Sequence, residues 1–407
     1  MEKRNTQQRP SLPVAFSMII IAIAGCQAPL DERWQMLDGA IEAAVETNQI
    51  PGAVLLTTRD GEVILHRAYG FADPLTQAPM KPNTLFRICS QTKAITATAA
   101  MVCWEKGLLE LDDPVAKYIP TFASIGILDS LMADTSFSST PAQNTLTIRH
   151  LMTHTNGIPY GKIGDPRYEQ LYTKHDVTDL FPRDGRSTYD NADKIGQLAL
   201  AHEPGAQWTY SLGLDVLVAV IEVASGQPYA DFVEAEIFEP LGMDDTHFVV
   251  PELDQSRLAN VVERAPNGSS WQKHQYPDYT IDYPMHAEWP LCSGGAGLTS
   301  SASDYAKFLQ MYLSHGAAKG VRILKEATVD SVMADQAPGL ISGPWQQGLA
   351  FGVKSDSLGA GRFFWSGYFN TQYYADPATQ EVVVLMTQTY GLETDTTRTA
   401  FNEILWN

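Results

Sequence analysis

The chain has 407 residues, of which 44% are hydrophobic, and it carries a formal net charge of −19 at neutral pH. This length is enough for two lobes with a sizeable core, and the apolar content excludes an intrinsically disordered protein. So acidic a chain disfavours nucleic acid as a partner and suits a neutral or small substrate.

The first residues have the pattern of an export signal. Lys3, Arg4 and Arg9 form a basic start, and the apolar run over residues 14–24 is too short to span a bilayer stably. No later stretch is long and apolar enough for a membrane segment.

Small residues lead into a cysteine at the end of this signal. The order Ile-Ala-Gly-Cys over residues 23–26 resembles a bacterial lipobox, in which Cys26 becomes the lipidated first residue. We therefore expect a lipoprotein-type signal peptide over residues 1–25 and a linker over residues 26–37. The alternative is an ordinary signal peptide that contains a cysteine. Either form exports the protein, and the lipidated form would anchor it in the bacterial cell envelope, at the periplasm or the outer membrane.

A helix and a hairpin follow the signal. Helical periodicity runs over residues 33–49 and stops before Pro51. Two strands, over residues 53–59 and 62–69, are joined by Asp60-Gly61, which favours a tight hairpin turn.

The next stretch contains a serine and a lysine three residues apart. Ser90 comes at the start of an Ala-rich run without Gly or Pro, which predicts a buried helix with Lys93 one turn along on the same face. A hydroxyl beside an amine is an activated nucleophile if burial favours the neutral amine. The competing interpretation is a serine helix cap followed by a surface lysine. The apolar residues after Lys93 argue against it.

A tyrosine and a second serine precede the next apolar helix, which is predicted over residues 214–224. Tyr210 lies on a tight turn before this helix, well placed to point a phenol into a cleft, where it could act as a proton shuttle beside Lys93. Ser211 is a rival nucleophile, because its surroundings are one residue short of the G-x-S-x-G pattern. A poor strand before it argues against this role.

Histidines and cysteines suggest other chemistry. His150 and His154 have the i, i+4 spacing of a metal pair but lack the glutamate of a zinc-protease helix, so we expect no metal and no other cofactor. Cys89 is adjacent to Ser90, and a small buried side chain is the preferred interpretation over a thiol nucleophile. Cys103 and Cys292 complete an odd number after Cys26, so these thiols cannot all pair internally.

The C-terminal third predicts strands and a last helix. The strands are expected over residues 348–353, 362–375 and 381–389, and the helix over residues 395–405. Gly367 within the middle strand would let a backbone N–H approach a ligand closely, as one half of an oxyanion hole requires.

Three stretches together resemble the class C β-lactamase and penicillin-binding-protein superfamily. They are Ser90 with Lys93, Tyr210-Ser211-Leu212, and Trp365-Ser366-Gly367 on a late strand. Side motifs agree with the resemblance, among them Leu-Met-Thr-His-Thr-Asn-Gly over residues 151–157 and Gly-Ala-Gly-Leu-Thr-Ser over residues 295–300. The similarity covers about residues 38–405.

The resemblance implies a β-lactamase/transpeptidase-like fold. That fold is an α/β lobe, with a mostly antiparallel sheet flanked by helices, plus an inserted all-α lobe. We expect residues 38–113 plus 291–407 to form the α/β lobe, and residues 114–290 to form the helical, loop-rich lobe.

The resemblance also implies the chemistry. Ser90 would be the acylated nucleophile, Lys93 and Tyr210 the paired base, and the backbone N–H groups of Ser90 and Tyr368 the oxyanion hole. Which of Lys93 and Tyr210 takes the first proton is a property of the coupled pair that the sequence leaves open.

Two departures bear on the substrate. Leu212 stands where lactamases of this class carry an amide-binding asparagine, and Trp365 stands where they carry a lysine that meets the substrate carboxylate. The Trp-x-Gly form resembles family VIII carboxylesterases. We therefore expect a carboxylesterase for short-chain acyl esters, with Trp365, Ser366, Gly367 and Leu212 near the ligand.

Alternatives remain within and outside the hydrolases. A β-lactamase or a D-amino-acid peptidase shares the motifs, weak β-lactam hydrolysis is compatible with them, and the same acyl-enzyme would serve transfer to an alcohol. A non-catalytic lipoprotein that binds ligands should have lost Ser90, Lys93 or Tyr210, and all three are present. The expected partners are a small ester and, through the lipid alone, a membrane; the sequence leaves the oligomeric state open.

Overall fold

The computed structural model describes residues 31–266, 268–276, 279–355, 361–392 and 396–406. The predicted signal peptide, Cys26 and the first part of the predicted linker lie outside the described residues. The last part of that linker is helical, because the first helix already begins at Glu32.

The described residues contain α-helices in both halves of the chain. They are α1 (Glu32–Glu46), α2 (Thr92–Glu105), α3 (Ile148–Met152), α4 (Pro166–Lys174), α5 (Thr188–Gly196), α6 (Gly213–Ser225), α7 (Tyr229–Val233), α8 (Glu239–Leu241), α9 (Ala302–Leu313), α10 (Glu326–Met333) and α11 (Thr396–Trp406). Short 3₁₀ segments occur at Cys89–Gln91, Val115–Lys117, Pro120–Ser124, Glu252–Arg257 and Tyr283–Met285, and a π-helical turn occurs at Glu234–Phe238.

The main sheet is antiparallel and takes its strands from both ends of the chain. They are β1 (Gly52–Arg59), β2 (Glu62–Asp73), β3 (Ala78–Pro79), β4 (Trp345–Gln347), β5 (Gly352–Lys354), β6 (Phe363–Ser366), β7 (Gln372–Asp376) and β8 (Glu381–Met386), in the spatial order β4-β5-β6-β7-β8-β1-β2-β3. Smaller ladders join Phe86–Arg87 with Thr299–Ser300, Gly126–Leu131 with Phe137–Pro141, Ala317–Ala318 with Val321–Arg322, and Val262–Arg264 with both Trp271–Lys273 and Thr389–Tyr390.

The predicted hairpin of β1 and β2 is confirmed and lies next to the short edge strand β3. Asp60 and Gly61 both have positive φ, at 52° and 80°, which is the backbone that a two-residue turn between twisted strands requires. On its other side β1 pairs with β8, from Val54 opposite Met386 to Arg59 opposite Glu381. The N-terminal hairpin and the C-terminal strands therefore form one continuous sheet.

The two faces of the sheet bury different helices. Leu55 of β1 belongs to a cluster that contains Trp34 of α1 and Phe401 of α11. Leu56, the next residue, belongs to the larger cluster that contains Ile95 of α2 and Phe308 of α9. This alternation along one strand is the period-two pattern of a sheet covered on both faces, and it places α2 on the side where the predicted site lies.

The C-terminal elements differ from prediction in their continuity. The single strand expected over residues 348–353 is wrong: β4 ends at Gln347, and a turn bonded from Gly348 N to Phe351 O, at 2.8 Å, precedes β5. The stretch over residues 362–375 is two strands, β6 and β7, around the turn that contains Gly367.

The middle of the chain packs mainly helices around α6. Residues Leu214–Ile221 of α6 are all buried, and α6 packs against α2, α3 and α5. The lobe boundaries at residues 113 and 291 stay a prediction. No single helix among the described residues is long and apolar enough to cross a membrane, although α6 followed by the helix over 229–241, bent by 81°, passes that criterion as a pair.

A buried carboxylate supports the loop that follows Tyr160. Asp179 Oδ2 accepts from the backbone N–H groups of Gly161, at 2.8 Å, and Lys162, at 2.9 Å. Its Oδ1 has no hydrogen-bond partner among the described residues. Burial raises the pKa of Asp179 to about 6, against the effect of those two N–H groups.

This carboxylate predicts a pH-dependent stability. Because folding raises the pKa of Asp179, its ionised carboxylate destabilises the folded state above pH 6, by about 2–3 kcal/mol. This destabilisation disappears as the pH falls toward the ordinary pKa of an aspartate, near 4. We expect the free energy of unfolding of Asp179→Asn to rise relative to that of the wild type by about 1–1.5 kcal/mol between pH 5 and pH 8, measured by urea unfolding. A stability difference that stays constant over this range would contradict the assignment.

Candidate active site

Ser90 lies in a tight turn directly before α2. The strand Phe86–Arg87 brings the chain in, paired with Thr299–Ser300, and Ser90 follows within the 3₁₀ segment Cys89–Gln91. The expectation that Ser90 begins the helix is wrong by one short turn, because α2 starts at Thr92 and no side chain caps it. The Ser90 hydroxyl is therefore not used as a helix cap.

The residue before Ser90 has a strained backbone. Cys89 has φ of +47°, in the left-handed region that non-glycine residues rarely adopt. Such outliers persist only where the surrounding structure enforces them, and they cluster at functional sites. Cys89 is fully buried, and the packing around it fixes the direction in which Ser90 projects.

Lys93 is wholly buried beside Ser90, and its side-chain nitrogen has three polar neighbours. Nζ lies 3.4 Å from Ser90 Oγ, 2.9 Å from Tyr160 OH and 2.8 Å from the backbone oxygen of Gly295. The surface-lysine interpretation is therefore wrong.

These neighbours would orient the hydrogens of the amine in the neutral form that a base requires. Such an amine has two N–H donors and one lone pair, and the Gly295 carbonyl oxygen can only accept. If the second N–H is donated to Tyr160 OH, the lone pair is left for the Ser90 hydroxyl. In that neutral form Ser90 would donate its proton to Lys93, whereas the protonated amine donates to Ser90 Oγ.

Tyr160, and not Tyr210, is the tyrosine that hydrogen-bonds Lys93. Tyr210 instead places its ring 4.7 Å below Nζ, measured to the ring centroid, and lies 5.3 Å from the Tyr160 ring. Burial first, and then the Asp215 carboxylate, raise the pKa of Tyr160 well above its ordinary value. Tyr160 is therefore a neutral phenol at physiological pH.

Ser211 has a structural position. Its Oγ is 2.8 Å from His154 Nδ1 and accepts from Asn156 Nδ2 at 2.8 Å, and the residue has no exposed surface. Burial, followed by the charge of Lys93, lowers the pKa of His154 well below its usual value, so this imidazole is neutral. Thr147 is the N-cap of α3, and its backbone N–H donates to His150 Nδ1 at 3.2 Å. The two histidines therefore have separate local partners.

Aromatic side chains surround Tyr210. The Trp365 ring lies 6.1 Å from the Tyr210 ring and stacks on His154, and the Trp208 ring lies 6.3 Å from Tyr210. A cavity of about 530 Å³ is lined in part by Trp208, Trp345 and Trp365. Leu212 does not join this wall: it is only 1% exposed and packs in the core, which corrects the expectation that it contacts a ligand.

The turn after β6 passes close to the nucleophile segment. A β-carbon on Gly367 would lie 2.4 Å from the backbone oxygen of Ile88, so only glycine allows this approach. Ser366 is the last residue of β6, and the backbone N–H of Tyr368 lies near the Cys89 sulfur. The turn thus reaches the residue adjoining Ser90. The oxyanion role of Tyr368 N–H stays a prediction.

The cysteine thiols of the described chain take no part in this arrangement. Cys89, Cys103 and Cys292 are free and buried, and burial raises the pKa of each to about 12. At neutral pH Cys89 is therefore an unreactive thiol.

Three contributors were not identified from the sequence: Tyr160, Asp215 and the backbone of Gly295. A signal for Asp215 was present, since it is a carboxylate in the first turn of the strongly apolar α6 and is directly followed by six apolar residues. Tyr160 follows the Thr-Asn-Gly turn by three residues, but nothing in the spacing relates it to Lys93 sixty-seven residues earlier.

Comparisons with known proteins agree with this geometry. A family profile described as Beta-lactamase matches residues 37–405. Esterase EstB of Burkholderia gladioli is 30% identical over 402 residues, which cover 93% of each chain.

Solved structures match over similar lengths. EstCE1, described as a hydrolase with promiscuous acyltransferase activity, superposes with a TM-score of 0.77 at 25% identity and covers 92% of this chain and 98% of its own. Simvastatin synthase LovD from Aspergillus terreus superposes with a TM-score of 0.75 at 22% identity and covers 92% of this chain and 97% of its own. At this identity the similarity shows a shared fold. The chain therefore belongs to the beta-lactamase family, with that family's antiparallel sheet flanked by helices, and it has an esterase among its relatives.

Proposed function

We propose that the protein is a carboxylesterase that cleaves short-chain acyl esters through an acyl-enzyme on Ser90. The observation that carries this proposal is the buried amine of Lys93, 3.4 Å from Ser90 Oγ and supplied with acceptors for its own hydrogens by Tyr160 and Gly295. A serine hydroxyl beside an oriented amine base is the arrangement that nucleophilic catalysis requires. The relationship to esterase EstB supports the same conclusion.

The proposed reaction has two halves. As Ser90 Oγ bonds to the carbonyl carbon, its proton passes to Lys93 Nζ, and the oxyanion is stabilised by the backbone N–H groups of Ser90 and Tyr368. The C–O bond to the alcohol then breaks, and the alcohol leaves with a proton relayed from Lys93, with the neighbouring Tyr210 phenol as the shuttle. Water attacks the acyl-enzyme in the second half, releases the acid and restores the Ser90 hydroxyl.

The side chain of Trp365 favours an ester over a β-lactam as the substrate. A penicillin carries a carboxylate, and Trp365 provides no cation at the position where lactamases of this class have a lysine. The rings of Trp208 and Trp365, which lie beside Tyr210, provide apolar surface for a neutral acyl or alkyl group. The cavity that these rings help to line also carries Lys354 and Arg398 on its wall, and Ser90 and Lys93 are not among its lining residues. A β-lactamase or D-amino-acid peptidase activity is the alternative within the same chemistry.

Hydrolysis of p-nitrophenyl acetate, butyrate and octanoate beside nitrocefin tests the function. We expect the short esters to turn over, nitrocefin to react at least about 100-fold more slowly, and Ser90→Ala to abolish both activities. Ser211→Ala is the matched control and should retain ester turnover, at some cost in stability through His154 and Asn156. Faster turnover of nitrocefin would favour the lactamase alternative, and activity that survives in Ser90→Ala would reject the site.

A second prediction concerns Tyr160. Tyr160→Phe should lower kcat about 10- to 100-fold with little change in KM, because the lost hydroxyl orients Lys93 and is too deeply buried to contact a ligand. Tyr172→Phe is the matched control, because Tyr172 is equally buried but donates to the backbone oxygen of Pro159. A kcat for Tyr160→Phe within about twofold of the wild type would contradict the role.

Acyl transfer to an alcohol is a second candidate activity. The observation that favours it is the aromatic wall beside Tyr210, since apolar surface favours an alcohol over water in the second half of the reaction. The structural relative EstCE1 is described as a hydrolase with promiscuous acyltransferase activity, which supports the same candidate.

Transfer predicts a partition between two products. With p-nitrophenyl butyrate and added 1-butanol, we expect gas chromatography to detect butyl butyrate beside butyric acid. Trp208→Ala should lower the ester-to-acid ratio, whereas Trp271→Ala, which lies on a separate small ladder, should leave it unchanged. An equal ratio in the wild type and in Trp208→Ala would reject this role of the wall.

Export completes the proposal and rests on the sequence alone. We propose that a lipid on Cys26 holds the protein in the bacterial cell envelope, with its ester substrate as a small-molecule partner. Neither a cofactor nor a nucleic acid enters the proposed reaction.

A further inference from the structure

A buried carboxylate lies on the far side of Lys93 and Tyr160 from Ser90. Asp215, in the first turn of α6, accepts from Ser293 Oγ at 2.7 Å and from Gly295 N at 3.3 Å, both through Oδ1. Its Oδ2 is buried and has no hydrogen-bond partner among the described residues. A buried carboxylate oxygen without a donor is costly, so this one requires an explanation.

The missing side chain of Gly295 shows what Oδ2 faces. A β-carbon there would lie 2.5 Å from Asp215 Oδ2, 2.5 Å from Tyr160 OH and 3.3 Å from Lys93 Nζ. The three polar groups therefore surround one point, and the absence of a side chain lets them approach each other.

We propose that Asp215 is the positioning residue that directs the Tyr160 hydroxyl proton away from Lys93 and balances the charge that Lys93 acquires when it takes the Ser90 proton. This inference rests on the proposed function, because it concerns how the base of that reaction is prepared. A carboxylate attracts the phenol proton toward itself, so Tyr160 offers its oxygen, and not its proton, to Lys93. The amine then donates both of its hydrogens and keeps its lone pair for Ser90.

The same carboxylate acts after the proton has moved. When Ser90 Oγ bonds to the carbonyl carbon and gives its proton to Nζ, a buried ammonium forms, and an ammonium far from water is costly unless a negative charge lies near it. The charged and titratable groups around Asp215, Lys93 and Tyr160 have the following members besides those three: Tyr172, Asp179, Tyr210, Cys89 and His154. Lys93 is the cation of this set that lies at the site.

Phosphonylation of Ser90 by a fluorophosphonate tests the inference without an ester substrate. The second-order rate should rise with pH as the base loses its proton, and this acid limb reports the charge state of the buried amine. In Asp215→Asn, which keeps the shape and the Ser293 contact, the ammonium loses its counter-charge. We expect the acid limb to move down by about one pH unit or more and the plateau rate to fall about tenfold.

Asp179→Asn is the matched control. It makes the same substitution at an equally buried carboxylate, but Asp179 bonds the backbone of residues 161–162 and does not face Nζ. Its acid limb should coincide with that of the wild type. A limb that moves equally in both variants would reject the specific role of Asp215.

A structural role alone would lower the plateau without moving the limb, so an unmoved limb in Asp215→Asn overturns the proposal. If Asp215→Asn fails to fold, Ser293→Ala decides. Loss of the Ser293 donor makes the ionised form of Asp215 less favourable, so the acid limb should move in the same direction by a smaller amount. An unmoved limb in Ser293→Ala overturns the proposal too. Wild-type protein that is not phosphonylated at Ser90 at any pH would reject the proposed function itself.

Discussion

The burial of one amine is the constraint on which the site depends. Lys93 has no exposed surface, so every property of its nitrogen is set by the groups that the fold places around it. A lysine loses much hydration free energy in such a position, and that loss is offset only by acceptors and a negative charge supplied from within the protein. Those groups come from the turn before α2, the loop after α3, the first turn of α6 and the loop before α9, which are spread along the chain between residues 90 and 300.

The sheet and the helices contribute differently to this arrangement. The sheet fixes the position of α2 through its packed face and carries the turn at Gly367 to within contact of the backbone before Ser90. The helical part supplies the interior polar groups, because α6 packs directly on α2 and its first turn brings Asp215 to the site. Neither part alone would hold an amine, a hydroxyl and a carboxylate around one point.

Local signals predicted the elements well and the contacts between them poorly. The Asp60-Gly61 hairpin follows from turn chemistry, and Ser90 and Lys93 could be paired because a helix relates residues three apart. The division of residues 348–353 into a turn and a strand depends on the hydrogen bond from Gly348 N to Phe351 O, and the hydrophobic periodicity of the sequence does not indicate such a local bond. Tyr160 and Asp215 reach Lys93 only through tertiary packing. The motif resemblance paired Tyr210 with Lys93 as the base and did not indicate the hydrogen bond that Tyr160 makes. Leu212 shows the same limit, since a position in a motif does not reveal whether its side chain is accessible.

Gly295 constrains the side chains of Tyr160, Asp215 and Lys93, and this constraint should be visible in the sequences of related proteins. A methyl group at this position would occupy the space between Tyr160, Asp215 and Lys93, so alanine there is compatible with the fold only if one of those side chains is shortened or withdrawn. Positions 160, 215 and 295 are thus expected to vary together among relatives and not one at a time. Their joint occupancy by tyrosine, aspartate and glycine would then identify, from sequence alone, the chains that prepare their lysine in this manner.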